Sequence, residues 1–338
     1  MVAGIRAHRL QAHATRRLGL PHTMLQWGSR AAIAWLALVR LSSAQITPEF
    51  HRTLTVTSAE VVTLDVDVPD GELRVSYGRD GEVSIAVLAK ASPKTDIVDS
   101  LSPVVPNIEQ SGNHIKIHVP DLADRENRIY RIEVPYRTVL TSRLNAGKQV
   151  ITGILGPVNA VTNKGDIRAA YISKEVDAEV GDGNLDLQVI GGHVDAVAGR
   201  GDISGVRLPQ GISAETGQGD VTLMVVGSST AIVKSGTGRI DVSGARGSFV
   251  GSTDRGELHV KAIPHQDWQL NSASGDVRVE LPPSAGFELE CSTKTGEFEF
   301  DREDITKPSA NVLQFHQAVN GGGKRIAAHT ESGRIAIR

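Results

Sequence analysis

The sequence predicts an all-β protein: a single-chain parallel β-solenoid (β-helix) with 18–19-residue coils and an irregular strand-rich N-terminal part. Three observations predict it. A glycine signature recurs at near-constant spacing. Apolar and polar residues alternate on both sides of each glycine. Aromatic residues are only 4% of a chain that carries 35 glycines among 338 residues, so the core must be built from Val, Ile, Leu and Ala between tight turns.

The repeat comes first, because it decides the architecture. The turn glycines are Gly147, Gly165, Gly183, Gly201, Gly219, Gly238, Gly256, Gly275, Gly296 and Gly333. They are 18 apart as far as Gly219, then 19, 18, 19, 21 and 37 apart. The last interval is about twice the unit, so one disguised coil is expected between 301 and 322. Seven residues before each glycine the residue is apolar, from Leu140, Val158 and Val176 to Trp268, Leu289 and Ile326. Five before, it is mostly small, as in Ala160, Ala178, Ala196 and Cys291. Two after stand Ile167, Leu185, Ile203 and Val221, and four after stand Leu187, Leu223 and Val242. These are two runs of period 2, the mark of strands with one face inward. Between them the glycine supplies a positive φ or room for close backbone approach. Each unit is strand, turn, strand, turn, and stacked units bury their apolar faces on one another.

Two other 18-residue solutions fit less well. A left-handed hexapeptide helix places one aliphatic every six residues, whereas here they fall two apart. A calcium-binding nonapeptide array needs an acidic column, but the residue after the glycine is Asp166, Asn184, Asp202, Asp220, Arg239, Glu257, Asp276, Glu297 or Arg334. A column containing two arginines is no continuous calcium ladder.

The regular solenoid is expected over 136–338, with an insertion at about 301–322. Residues 46–135 read as an irregular strand-rich cap or opening coils. "VTLDVDVPDGELRVSYGRDGEVSIAVLAK" alternates, with turns at Pro69-Asp70-Gly71 and Arg79-Asp80-Gly81. The polar segment 91–110 reads as a loop with a short helix at 95–101.

Residues 1–44 read as a signal peptide. They hold six arginines and no Asp, Glu or Lys, then the apolar run Ala31–Val39, then Ser42-Ser43-Ala44. Basic flank, short apolar run and small-residue exit describe an export signal, and nine residues are too few for the ~20 that span a bilayer. An uncleaved signal anchor and an organelle transit peptide are the alternatives, and Met24 is a plausible start. The six arginines, set against a formal net charge of −3, leave −9 over residues 45–338. That mild acidity argues against nucleic acid or anionic lipid as the main ligand. The single cysteine, Cys291, permits no disulfide within the chain. The expected location is exported, periplasmic or secreted, with no integral membrane domain beyond the signal segment.

The layout resembles the bacterial "putative adhesin" β-strand-repeat family, a domain of unknown function, over about 46–338. The resemblance rests on "RIEVPYRTVLTSRLNAGKQV", on "TNKGDI" and "TGQGDV", on "SASGDVRVELPPSAGFELECSTKTGEF" and on the closing "GGKRIAAHTESGRIAI". It implies an exported β-solenoid with no established enzymatic activity.

Catalysis needs convergent titratable groups, and no nucleophile elbow, phosphate loop or metalloprotease helix occurs. His114 and His118 lie about 13 Å apart on one strand face at ~3.3 Å per residue, too far for one metal ion. His259 and His265 flank a turn near Asp267. No catalytic residue, cofactor or metal is assigned. The weak candidates for a surface acidic patch are Asp166, Asp202 and Asp220, which stack near one edge with Asn184 between them. Such a column could serve a carbohydrate-active β-helix enzyme. The leading reading is instead a non-enzymatic interaction or adhesin-like scaffold whose partner is an envelope protein or a glycan. Arg200-Gly201-Asp202 spells an integrin-type tripeptide, but the repeat generates it whenever the variable slot before Gly201 is Arg. The chain closes on "RIAIR", inside a strand. An uncapped last coil is therefore expected, free for self-association.

Overall fold

Strands fill the molecule because each half-coil offers alternating apolar residues and each coil end offers a glycine. The computed structural model describes residues 46–90, 103–121, 128–309 and 312–338. Residues 1–44, with the expected export signal, and the expected 95–101 helix lie outside the described residues. Within them are 26 strands joined in one sheet, mostly parallel.

Seven middle coils are regular. Their first strands are β8 (Val158–Lys164), β10 (Val176–Asp182), β12 (Val194–Arg200), β14 (Ile212–Gln218), β16 (Ala231–Thr237), β18 (Phe249–Arg255) and β20 (Trp268–Ser274). Their second strands are β9 (Ile167–Ile172), β11 (Leu185–Ile190), β13 (Ile203–Leu208), β15 (Val221–Val226), β17 (Ile240–Ser243), β19 (Leu258–Lys261) and β21 (Val277–Glu280). First strands pair in parallel with first strands and second with second, as in Val176↔Val194 and Leu185↔Ile203. The inward columns are closed to solvent: Val176, Ala178 and Leu187 are at most 1% exposed, as are Phe249 and Trp268. Burying each Val, Leu or Ile contributes about 1.5–3 kcal/mol. The buried Trp268 Nε1–H donates to the Gly247 carbonyl at 3.3 Å, so the large aromatics serve as core filling.

The two ends depart from simple stacking, and both do so in the same way. At the start, β2 (Val62–Tyr77) and β7 (Thr138–Thr152) each run through a whole coil and pair with each other over Val62↔Thr138 to Ser76↔Thr152. On its other edge β2 takes β5 (His114–His118) and β6 (Arg128–Val134), both parallel. Antiparallel strands then cover that outer coil: β4 (Asn107–Ser111) on β5, β3 (Glu82–Lys90) on β6, and β1 (Ile46–Thr55) on β3. Residues 46–135 thus include one coil, β2, in full register with the regular array.

At the other end, β22 (Phe287–Thr293) and β23 (Glu297–Phe300) do not stack on β20 and β21. The last coil, β25 (Lys324–Ser332) and β26 (Arg334–Ile337), lies between them. β25 pairs with both β20 and β22, and β26 with both β21 and β23. Here the sequence expectation is corrected. The last coil is an interior rung, not an uncapped edge, because both of its backbone edges are hydrogen-bonded. The double interval before Gly333 is also no disguised coil. It holds β24 (Gln314–Val319), which runs antiparallel on the outer edge of β22. Phe315 of β24 closes the open end of the core against Phe298 and Phe300, with ring centroids 6.5 and 4.9 Å away.

Candidate functional site

The turn column is the most regular polar feature, and its geometry explains the signature. The column glycines stack carbonyl to α-carbon. A Cβ on Gly165 would lie 1.7 Å from the Gly147 oxygen, and one on Gly201 1.9 Å from that of Gly183, where φ is +137°. The Thr or Ser three residues earlier donates its hydroxyl to the glycine carbonyl of the preceding coil, as Thr216 does to Gly201 at 2.9 Å. The residue after the glycine reaches the other way. Asp166 Oδ1 accepts from the Asn184 amide at 2.9 Å, and Asn184 Oδ1 from that of Asp202 at 2.8 Å. Asp202 Oδ1 accepts from Asp220, and Asp220 Oδ1 from Arg239, at 2.8 and 2.7 Å. The candidate residues Asp166, Asp202 and Asp220 are therefore brought into one column, where each binds the next coil's backbone. Gly71 belongs to this column as well, since a Cβ on Gly147 would lie 1.8 Å from its oxygen. A second column, Gly181, Gly199, Gly217 and Gly236, stacks two residues earlier, where a Cβ would meet a carbonyl at 2.5–2.6 Å.

The histidines separate. His114 pairs with Asp65 at 2.9 Å and His118 with Asp67 at 3.0 Å, each across the β2–β5 ladder. His259 sits between two carboxylates, Asp241 at 3.3 Å from Nδ1 and Glu280 at 3.2 Å from Nε2. Hydrogen bonding by Lys261, against the cost of burial, holds the Glu280 carboxyl below its ordinary range. Among the described residues no group of three or more His, Cys, Asp or Glu is placed to hold a metal ion. Burial pushes the Cys291 thiol far up, so it packs as a small apolar residue.

An open cavity of about 520 Å³ is lined by Lys261, Ile263, Glu280, Leu281, Pro282 and Arg338. Its charges already have partners: Lys261 bonds Glu280 at 3.0 Å and Arg338 bonds Asp301 at 3.0 Å.

The sequence reading missed one column altogether. Six residues after the turn glycine the second strand turns a corner, and the corner residue has a positive φ: Gly153 at 73°, Tyr171 at 57°, Val189 at 55°, Arg207 at 58° and Gly244 at 77°. The ladder skips Val189 and Tyr171 between Gln188↔Ala170 and Ile190↔Ile172. This corner turns Ile172, Ile190 and Leu208 into the core. Tyr77 is the sixth residue after Gly71 in β2, but it keeps a strand pairing with Val134 and has no positive φ. Tyr77 is 52% exposed and Tyr171 63%.

These features define a parallel β-solenoid whose repeat signature is a coil-to-coil fastening. A family model described as Toastrack DUF4097 matches residues 98–338, and the chain belongs to that family of unknown function. Solved structures similar to this chain include a putative cell adhesion protein from Clostridium sporogenes, 13% identical with a TM-score of 0.18, matched over 86% of this chain and 99% of that one. A putative adhesin from Bacteroides fragilis is 11% identical with a TM-score of 0.31, over 87% and 96%. One from Parabacteroides distasonis is 11% identical with a TM-score of 0.26, over 88% and 98%. No curated protein matches the chain.

Proposed function

We propose that the protein is a non-enzymatic, exported β-solenoid of 18–19-residue coils, carried out of the cytoplasm by residues 1–44, and that it acts as an adhesin-like interaction scaffold at the cell envelope. Its partner is an envelope protein or a glycan. The observation that carries this reading is the turn ladder. Asp166, Asp202 and Asp220 each commit one carboxylate oxygen to the next coil's amide, so the acidic column is spent on stacking. No helix of the described residues is long and apolar enough to cross a membrane.

The test is turnover on a polyuronate panel, run beside retention of envelope components on the immobilised full chain. The scaffold reading expects retention and no turnover. Turnover that disappears in Asp202→Asn and Asp220→Asn would replace it with a carbohydrate-active enzyme.

A further inference from the structure

The corner column carries an observation that folding does not account for. A positive φ costs a bulky residue on the order of 1–3 kcal/mol, and glycine meets the same corner without that strain. Gly153 and Gly244 do so. Tyr171 keeps an aromatic side chain there at φ 57°. Packing does not repay the strain, because the side chain is 63% exposed. Its neighbours one and two coils away are equally telling. Ser76 pairs with Thr152 and Thr152 with Ala170, so Tyr77, Gly153 and Tyr171 follow at equivalent positions in three successive coils, Tyr77 still paired with Val134 in β2. Gly153 places no side chain of its own between them; a Cβ there would approach Tyr77 Cβ at 3.3 Å. Tyr77 packs edge-on with Tyr136, ring centroids 5.7 Å apart. Thr152, one residue before Gly153, lies on the rung between the two tyrosines.

We propose that Tyr77 and Tyr171 form a stacking platform for a neutral, extended β-1,4-linked hexopyranose glycan. Their backbone positions stand two rungs apart, about 10 Å at ~4.8 Å per rung, which matches every second sugar of such a chain. An exposed tyrosine offers an apolar face to the C–H face of a pyranose while its hydroxyl stays in water. Gly153 keeps the intervening sugar from colliding with the corner, and Thr152 supplies a hydroxyl to hydrogen-bond it. This names the partner class of the scaffold reading and rests on it.

The experiment is affinity electrophoresis of the full chain in native gels containing hydroxyethylcellulose or glycol chitin. The wild-type chain and Val189→Gly, which relieves the same backbone strain without touching an aromatic, should be retarded in at least one gel. Tyr171→Gly and Tyr77→Ala should lose that retardation at least tenfold in apparent affinity. The thermal midpoint of Tyr171→Gly should not fall, which separates lost binding from lost folding. Wild-type migration unaffected by both polymers, or retardation unchanged in Tyr171→Gly, overturns the platform. If the immobilised chain then still retains an envelope protein, the scaffold reading stands and the glycan is wrong.

Discussion

Arg200 clasps Asp182, the residue in the same slot one coil earlier, with two hydrogen bonds of 2.6 and 2.7 Å. The arginine of the Arg-Gly-Asp tripeptide thus faces a carboxylate within its own fold, while Asp202 holds the Asp220 amide. Replacing Asp202 with Glu should leave attachment to animal cells unchanged. Loss of attachment in that variant would establish integrin-type recognition after all.

The same contact predicts acid sensitivity. The Arg200 hydrogen bond holds the Asp182 carboxyl below its ordinary value of 3.8, and Arg302 does the same for Asp304. Arg334 and Lys294 hold Glu299 and Glu331 below 4.5. A carboxyl with a lowered folded pKa stabilises fully above its unfolded value and loses that contribution as pH falls through its folded value. The thermal midpoint should therefore drop most steeply below these ordinary values, and Arg200→Ala should move the Asp182 titration back toward 3.8 by NMR. Because the Arg200, Arg334 and Lys294 pairs sit at the surface, high salt should blunt their share of the effect, while the pair of the buried Arg302 is screened less.

Gly201→Ala should be among the most damaging small substitutions, costing roughly 3 kcal/mol or more from strain and clash together. Its Cβ has no room beside the Gly183 carbonyl. Gly112 has φ +60° with nothing within 4 Å, so Gly112→Ala should cost only about 1 kcal/mol. Urea unfolding of the two variants measures the difference; equal losses would mean that stacking contributes nothing beyond φ.

Gln149 is a fully buried amide in an otherwise apolar column. It accepts from the Ser142 hydroxyl at 2.7 Å and donates to the Val161 carbonyl at 2.7 Å and Thr162 Oγ1 at 2.9 Å. Gln149→Leu strands these groups and should cost about 1–3 kcal/mol. Adding Ser142→Ala and Thr162→Val should recover part of that loss, a non-additivity that chemical denaturation can read.

Deleting residues 324–338 removes the rung between β21 and β23. Hydrogen exchange should then accelerate in β20–β23, while amides of β8–β14 keep their protection, since each coil contacts only its neighbours. Uniform loss of protection would show that the array unfolds as one unit.

The middle of the molecule was legible because spatial neighbours there are 18 or 19 residues apart in the chain, so one column of glycines exposes the whole stack. The ends were not. Val62 meets Thr138 and Trp268 meets Ile326, several coil lengths apart in the chain and not one, which is why Gly71 went unrecognised and the last coil was expected at an edge. The acidic column was visible but its use was not, because the partner of each Asp is a backbone amide with no residue signature. The corner stayed hidden for a related reason. Its residues, Gly153, Tyr171, Val189 and Arg207, share a backbone conformation and no side-chain chemistry.

Both closures are built from the same device, a coil tucked one rung inside the boundary and locked by its sequence neighbour and an antiparallel strand. Among the described residues no strand of either closure pairs with the coils from β10 to β14. An in-frame gain or loss of one 18-residue coil there would lengthen or shorten the stack while leaving each closure intact. Length is thus the property this architecture can change at least cost, and the distance between features on its two ends can be reset without redesigning either.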